Sequence, residues 1–344
     1  MPSPDVRKGM PPTELPRDVF AQRFKSRFAD PAFFPLQKEI QAITDAAWDA
    51  YADSRKSPHT HKAGPGFADP DYDLAVDWLT AREAIAEAQR RHDDPAEPSR
   101  ILIVNGSSRA ELAQRTIAER GGFQVEILNL SRTTSEFGKT IHPCKSCVSS
   151  SMALCHWPCS CYPNYALGQV HDWMNEIYPM WVAAHGIMIV APVNWYQAPG
   201  PLKAMMDRLV CADGGNPDPT STHGKTVEEA KSLELAGWPY PRHLAGRLFA
   251  VVAHGDAVGA ETLRRNLSDW AADMHLISAG GKAELDRYVG YYEPYATSHQ
   301  ALDRDEAFQQ EVRDAALTLT EAVTAKREGK LAEPGAGLKE PRPK

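Results

Sequence analysis

Five of the six cysteines fall within one 18-residue window, Cys144-x2-Cys147-x7-Cys155-x3-Cys159-x-Cys161. Soft thiolates at such short spacing suit an iron–sulfur cluster or a zinc ion. The same residues can also act as a redox dithiol, or pack as small buried hydrophobes. Crowding of this kind is not how disulfides are spread over a secreted domain, so a reducing, cytoplasmic setting is expected. His142 and His156 lie in the same stretch, and Cys211 reads as a core residue at the end of a helix.

Three loops carry a different chemistry. Asn105-Gly106-Ser107-Ser108-Arg109 follows a short β-rich run and opens a helix. Backbone N–H groups at a helix start, two hydroxyls and a guanidinium suit a phosphate, because each charge-assisted bond contributes about 1.5–3 kcal/mol. The loop is not the G-x-G-x-x-G of a dinucleotide site. The Gly-Lys-Thr triplets at Gly138 and Gly224 have Thr133 and Pro219 where a P-loop needs its leading glycine. A terminal monophosphate is the better guest, and a plain Ser-capped helix is the bland alternative. The second loop contains Pro192-Val193-Asn194-Trp195-Tyr196 and ends in Ala198-Pro199-Gly200-Pro201, so two aromatics precede a Pro-started helix. Flat rings and backbone amides there suit a planar heteroaromatic ligand, or else form a packed corner. The third, His254-Gly255-Asp256-Ala257-Val258-Gly259, has two glycines that permit close backbone approach.

Strands alternating with helices must position these loops. Apolar runs at 101–104, 125–128, 186–191, 247–253 and 275–278 predict five strands. Helical stripes separate them: one ends at Gly121-Gly122, one holds Leu167, Val170, Met174, Ile177 and Trp181, and one holds Leu202, Met206 and Leu209. Leu263, Leu267, Trp270 and Met274 mark the next, and Phe308, Val312, Ala315, Leu319 and Val323 the last. This alternation predicts a five-stranded, doubly wound parallel α/β sheet, with ligands beyond the carboxyl ends of its strands. Residues 1–98 form an N-terminal helical extension without strand signals. Its two stripes, Leu36-Ile40-Ile43-Ala47 and Leu74-Trp78-Ala81-Ile85, are expected to pack on the core or on a partner subunit, and Asp69-Pro70 reads as a helix start. The core domain spans 99–326 with a Cys-rich insertion at 142–164, and 327–344 reads as a disordered tail.

Together the loops resemble those of the flavodoxin-like NAD(P)H-dependent FMN reductase and quinone reductase family, over about residues 100–280. The resemblance rests on Ile103-Val104-Asn105-Gly106-Ser107-Ser108-Arg109, and on Ala191-Pro192-Val193-Asn194-Trp195 followed by Pro201-Leu202-Lys203-Ala204-Met205-Met206-Asp207-Arg208. It implies a flavodoxin-like fold, an FMN cofactor and NAD(P)H as co-substrate, with a quinone, free flavin or other small molecule as electron acceptor. By the same resemblance Ser107, Ser108 and Arg109, with Arg115 and Thr116, hold the FMN phosphate. Pro192, Val193, Asn194, Trp195 and Tyr196 run along the isoalloxazine, and His254, Gly255, Asp256 and Gly259 close its other side. The flavin carries the chemistry, so no catalytic set is required; Tyr196 and His254 are the side chains that could donate a proton. The segment Cys144, Cys147, Cys155, Cys159, Cys161 also resembles the compact cluster of iron–sulfur flavoproteins, although Ser150 stands where their third cysteine falls. That similarity leaves two alternatives: a [4Fe-4S] or zinc-bearing electron carrier, and a thiol redox-regulatory module. Assembly as a homodimer or homotetramer is also implied.

The bulk numbers fit. The chain has 344 residues, 42% apolar and 24% charged, enough for a buried core. A net charge of −7 argues against a nucleic-acid footprint and a polybasic membrane contact. The longest strongly apolar run, 186–193, is far short of the ~20 residues that cross a bilayer, and the first 20 residues lack the apolar stretch of a signal peptide.

Overall fold

The computed structural model describes residues 16–54, 60–106, 110–136, 139–162, 172–256, 258–290, 293–331 and 334–342. Helices α1 (Arg17–Lys25) and α2 (Gln37–Ser54) pair through Phe20 against Trp48, ring centroids 5.4 Å apart. Of the expected stripe, Ile40 on α2 is buried, whereas Leu36, in the turn before α2, and Ile43 are 45% and 51% exposed, so that face is only partly covered. Contrary to the sequence expectation, the extension contains strands: β1 (Thr60–Lys62) pairs antiparallel with β2 (Asp73–Ala75). The hairpin takes the residues after Asp69-Pro70, so α3 (Val76–Asp93) starts at Val76 and not at Pro70. Asp69 instead shapes a turn, its carboxylate accepting from the Asp71 amide at 3.0 Å.

The core continues as β3 (Ser99–Asn105), α4 (Ala110–Arg120), β4 (Phe123–Asn129), α5 (Arg132–Ser135), α6 (Met174–Ala183), β5 (Gly186–Pro192), α7 (Gly200–Leu209), α8 (Val227–Leu235) and β6 (Leu248–Gly255). It closes with α9 (Ala260–Asp273), β7 (Ile277–Ser278), β8 (Glu284–Tyr288), α10 (Tyr295–Arg304) and α11 (Glu306–Arg327). The pairing is parallel throughout, in the order β4-β3-β5-β6, with β7 and β8 sharing the outer edge of β6. The fifth position is therefore split. The sequence run at 275–278 contributes only two paired residues, and the longer pairing with β6 comes from β8, which the sequence reading missed.

Side chains alternate across the sheet. Leu102, Val104, Ile187, Ile189, Phe249 and Val251 enter one core with residues of α3, α6, α7 and α9, while Ile101, Ile103, Met188, Val190, Ala250 and Val252 enter the other with α4 and α11. Each large apolar side chain so covered contributes about 1.5–3 kcal/mol. The extension supplies Ile85 and Ala88 of α3 to the first core, next to Trp181 and Val182 of α6. Residues 334–342 are not a free tail: Arg342 pairs with Glu311 of α11, and Lys282 donates to the carbonyls of Gly335 and Leu338. Among the described residues no helix is long and apolar enough to cross a membrane.

Candidate functional site

In this strand order the chain reverses direction across the sheet between β3 and β5, which is where open α/β sheets bind their ligands. The three loops meet at that edge. The Gly106 amide donates to Val190 O at 2.9 Å, and a Cβ on Gly106 would stand 3.3 Å from Pro192 Cδ. The Val193 amide donates to His254 O at 2.8 Å, so the second loop is fastened to the third. Beyond it, Asn194 and Gln197 exchange amide hydrogen bonds of 2.9 and 3.0 Å across a tight turn whose central residues are Trp195 and Tyr196. These two have φ of 49° and 68°. Left-handed backbone is uncommon for bulky residues and costs about 1–3 kcal/mol each, so the surrounding contacts must hold the turn. Gly259, at φ 116°, lies against it: a Cβ there would be 3.0 Å from Tyr196 Cα.

The turn carries its rings outward. Trp195 is 87% exposed and Tyr196 57%, and Val258 and Tyr288 are exposed at the same edge, Tyr288 standing in register with Gly255. Sequence reading missed Tyr288, because β8 reads as a charged segment. A cavity of about 710 Å³ lies on that side of the third loop, lined in part by Gly259, Arg287, Tyr288 and Val289.

The other expected site residues divide. Ser107, Ser108 and Arg109 lie outside the described residues, as do Leu167 and Val170 of the expected helix before Met174. Thr116 is buried one and a half turns into α4, and its hydroxyl donates to Leu112 O at 2.9 Å, so its side chain faces its own helix and not the loop. Arg115 is exposed on the same helix. His254 contributes its carbonyl to the site. Its imidazole is 4% exposed and packs against Phe308, ring centroids 5.4 Å apart, which removes it from the solvent side of the loop. Asp256 is exposed.

In the cysteine segment, Cys159 lies near Arg208, in the last turn of α7 about 12 Å along the helix from Gly200 at ~1.5 Å per residue, and both Cys155 and Cys159 lie near Cys211 in the turn just after it. Arg208 anchors it: the side chains of Arg208 and Asp172 are 0% and 2% exposed and paired, Arg208 Nη1 also donates to His142 O at 3.0 Å, and the guanidinium covers the Tyr162 ring at 4.7 Å. His156 is buried between Ser160 and Thr222 and is held well below its usual pKa by burial, the structural role. All six cysteines are free thiols. Cys147 and Cys161 touch, Sγ to Sγ 3.4 Å, and that contact lowers the Cys147 thiol to about 7 against the opposing effect of burial. Burial pushes Cys155 up, and the bond to Cys161 together with burial pushes Cys159 up. Among the described residues no three His, Cys, Asp or Glu side chains are grouped as a metal site requires, so the cluster and zinc readings are not met by this arrangement.

The fold is flavodoxin-like, and the described parts of the three loops meet at its switch point. The chain belongs to the NADPH-dependent FMN reductase family, whose model matches residues 99–283. Among solved structures it is similar to a flavone reductase (16% identity, 68% of this chain and 66% of that chain, TM-score 0.36). It is also similar to RosB with its bound intermediate 8-demethyl-8-formylriboflavin-5'-phosphate (11%, 68% and 83%, 0.46) and to the apo form of the NADH:FMN oxidoreductase EmoB (13%, 64% and 90%, 0.32). Comparison with curated proteins gives no match. The described loops are compatible with the family's FMN: Gly106 and Gly259 let the loops close on Pro192 and Tyr196 where a Cβ would crowd them, and the Trp195 and Tyr196 rings stay exposed at that edge.

Proposed function

We propose that this protein is an oxidoreductase that uses FMN to pass electrons from NAD(P)H to a quinone, free flavin or other small acceptor. The observation that carries the reading is the fastening of three carboxyl-edge loops around the strained Trp195-Tyr196 turn, in a chain of the FMN reductase family. Bound FMN supplies the hydride and electron transfer.

The chain binds and orients. Ser107, Ser108 and Arg109, which precede α4 in the sequence, would hold the phosphate with hydroxyls and a guanidinium, together with the helix's N-terminal amides. The main chain of 192–196 would hold the ring's polar edge, and Trp195 and Tyr196 would offer apolar faces to it and to the reactants. Gly259 lets the third loop close on that turn without a Cβ. Tyr196 is a side chain at this edge able to donate a proton. Homo-oligomers, dimers or tetramers, that cover Trp195, Val258 and Tyr288 are the assembly we propose, in the cytoplasm.

Arg109→Ala tests the phosphate assignment. Loss of a charge-assisted contact of about 1.5–3 kcal/mol weakens FMN binding roughly 10- to 150-fold with the melting temperature of the flavin-free protein unchanged. Full flavin retention by the variant would show the assignment to be wrong.

A further inference from the structure

We propose that Cys147 and Cys161 are a redox-active dithiol, oxidised by hydroperoxides to a reversible disulfide, with Lys225 holding the attacking thiolate. This does not rest on the flavin reading. The two sulfurs are already in contact at 3.4 Å, and both are reduced. Access differs in the sense the chemistry needs: Cys147 is partly exposed, while Cys161 is 9% exposed behind it. Lys225 reaches into the same cluster, where its Nζ donates to Leu154 O at 2.7 Å. Among the described residues no carboxylate pairs with this ammonium; burial works against its charge, and the neighbouring groups that favour it are Cys161, Cys147, Cys159 and Cys155. A cation among thiols stabilises a thiolate, the nucleophilic form.

The balance is closed by the peroxide. The Cys147 thiolate attacks one peroxide oxygen; the O–O bond breaks, an S–O bond forms, and the departing hydroxide takes a proton to leave as water. Cys161 then attacks the sulfur of the Cys147 sulfenic acid. The S–S bond forms, the S–O bond breaks, and the second water carries off the Cys161 proton. Two thiols lose two electrons, and one hydroperoxide becomes two waters, or a water and an alcohol. A thiol reductant reverses the bridge by exchange.

The test uses the full-length wild-type protein with hydrogen peroxide added at one equivalent, followed by alkylation and chymotryptic mass mapping, which cuts between the two cysteines at Leu154. The expected result is a single bridge joining Cys147 to Cys161, with the other four cysteines alkylated and the bridge undone by dithiothreitol. In Cys161→Ser, dimedone should label Cys147 as a trapped sulfenic acid, and Lys225→Gln should slow bridge formation in the otherwise wild-type chain about tenfold. Both thiols remaining alkylatable after peroxide, a bridge between other cysteines, or stoichiometric zinc or iron shielding these thiols would each overturn the proposal. Because wild-type mapping needs no variant, a misfolded substitution does not leave the question open.

Discussion

At the scale of single residues, the Trp195-Tyr196 turn and Gly259 decide whether the site exists. Two left-handed aromatics are stable only while their neighbours constrain them, and Gly259 is one such neighbour, where φ is 116° and a Cβ would press on Tyr196 Cα at 3.0 Å. Gly259→Ala should therefore displace the turn or the third loop. The expected outcome is FMN affinity lowered at least tenfold in a fluorescence titration, with a stability loss of about 1–3 kcal/mol in urea. Unchanged affinity would mean that the turn does not touch the flavin. The sequence displayed the loop residues themselves, because Gly, Pro and paired aromatics after an apolar run are local signals. It could not display φ angles, the burial of the His254 ring or the inward bond of Thr116, since those are set by α11 and by the interior of α4.

At the scale of elements, the cysteine segment is held in place by charge as well as by packing. Asp172 precedes α6, Arg208 ends α7, and the pair is buried with bonds from Arg208 to the segment at His142 O. Removing one partner leaves the other charged in the core, so Asp172→Ala should cost about 3–5 kcal/mol, read as a shift in the urea midpoint. The double variant Asp172→Ala/Arg208→Met should recover much of that loss. Equal loss in the single and double variants would show that packing, not the unpaired charge, sets the cost. β3, β5 and β6 were legible because their apolar runs are continuous, as strands covered on both faces must be, and β4 at the sheet's edge showed through alternation. β8 was not: Glu284, Asp286 and Arg287 give it the look of a loop. Its charges are answered by residues far away in sequence, Asp286 by Arg264 of α9 and Arg287 by Glu311 of α11, while Leu285 enters the core. The β1–β2 hairpin was missed because three-residue strands leave no readable period.

At the scale of the whole molecule, stability should depend on pH through groups that join distant parts of the chain. His185 accepts the Arg100 amide at Nδ1, 3.0 Å, and donates from Nε2 to His92 O, 3.0 Å, tying β3 and the end of α3 to the start of β5. Burial, with His92 and Arg327 nearby, holds it down to about 4. The folded value lies below the unfolded value of about 6.5, so the unfolded chain binds more protons between the two. The contribution is complete above about pH 6.5 and is lost as pH falls through about 4. Urea midpoints should fall across that window in the wild type and fall less in His185→Asn, which keeps an acceptor near Nδ1; identical slopes would contradict the assignment. Glu311 acts in a lower window. Burial alone would raise its pKa, but bonds from Arg287 and Arg342 hold it at about 2, so its contribution is lost as pH falls from about 4.3 toward 2. That bond set also fastens residues 334–342 to α11, which the Pro, Gly and charge of the tail did not reveal, because low apolar content says nothing about a carboxylate waiting on a helix.

The most direct test of the central claim is an anaerobic visible spectrum of the protein reconstituted with FMN, recorded before and after one equivalent of NADPH or NADH. Uptake of one FMN per chain, followed by bleaching of the two-banded flavin spectrum and its return on adding a quinone, is the predicted result. A protein that takes up no FMN, or whose bound flavin is left unbleached by either nucleotide, would contradict it.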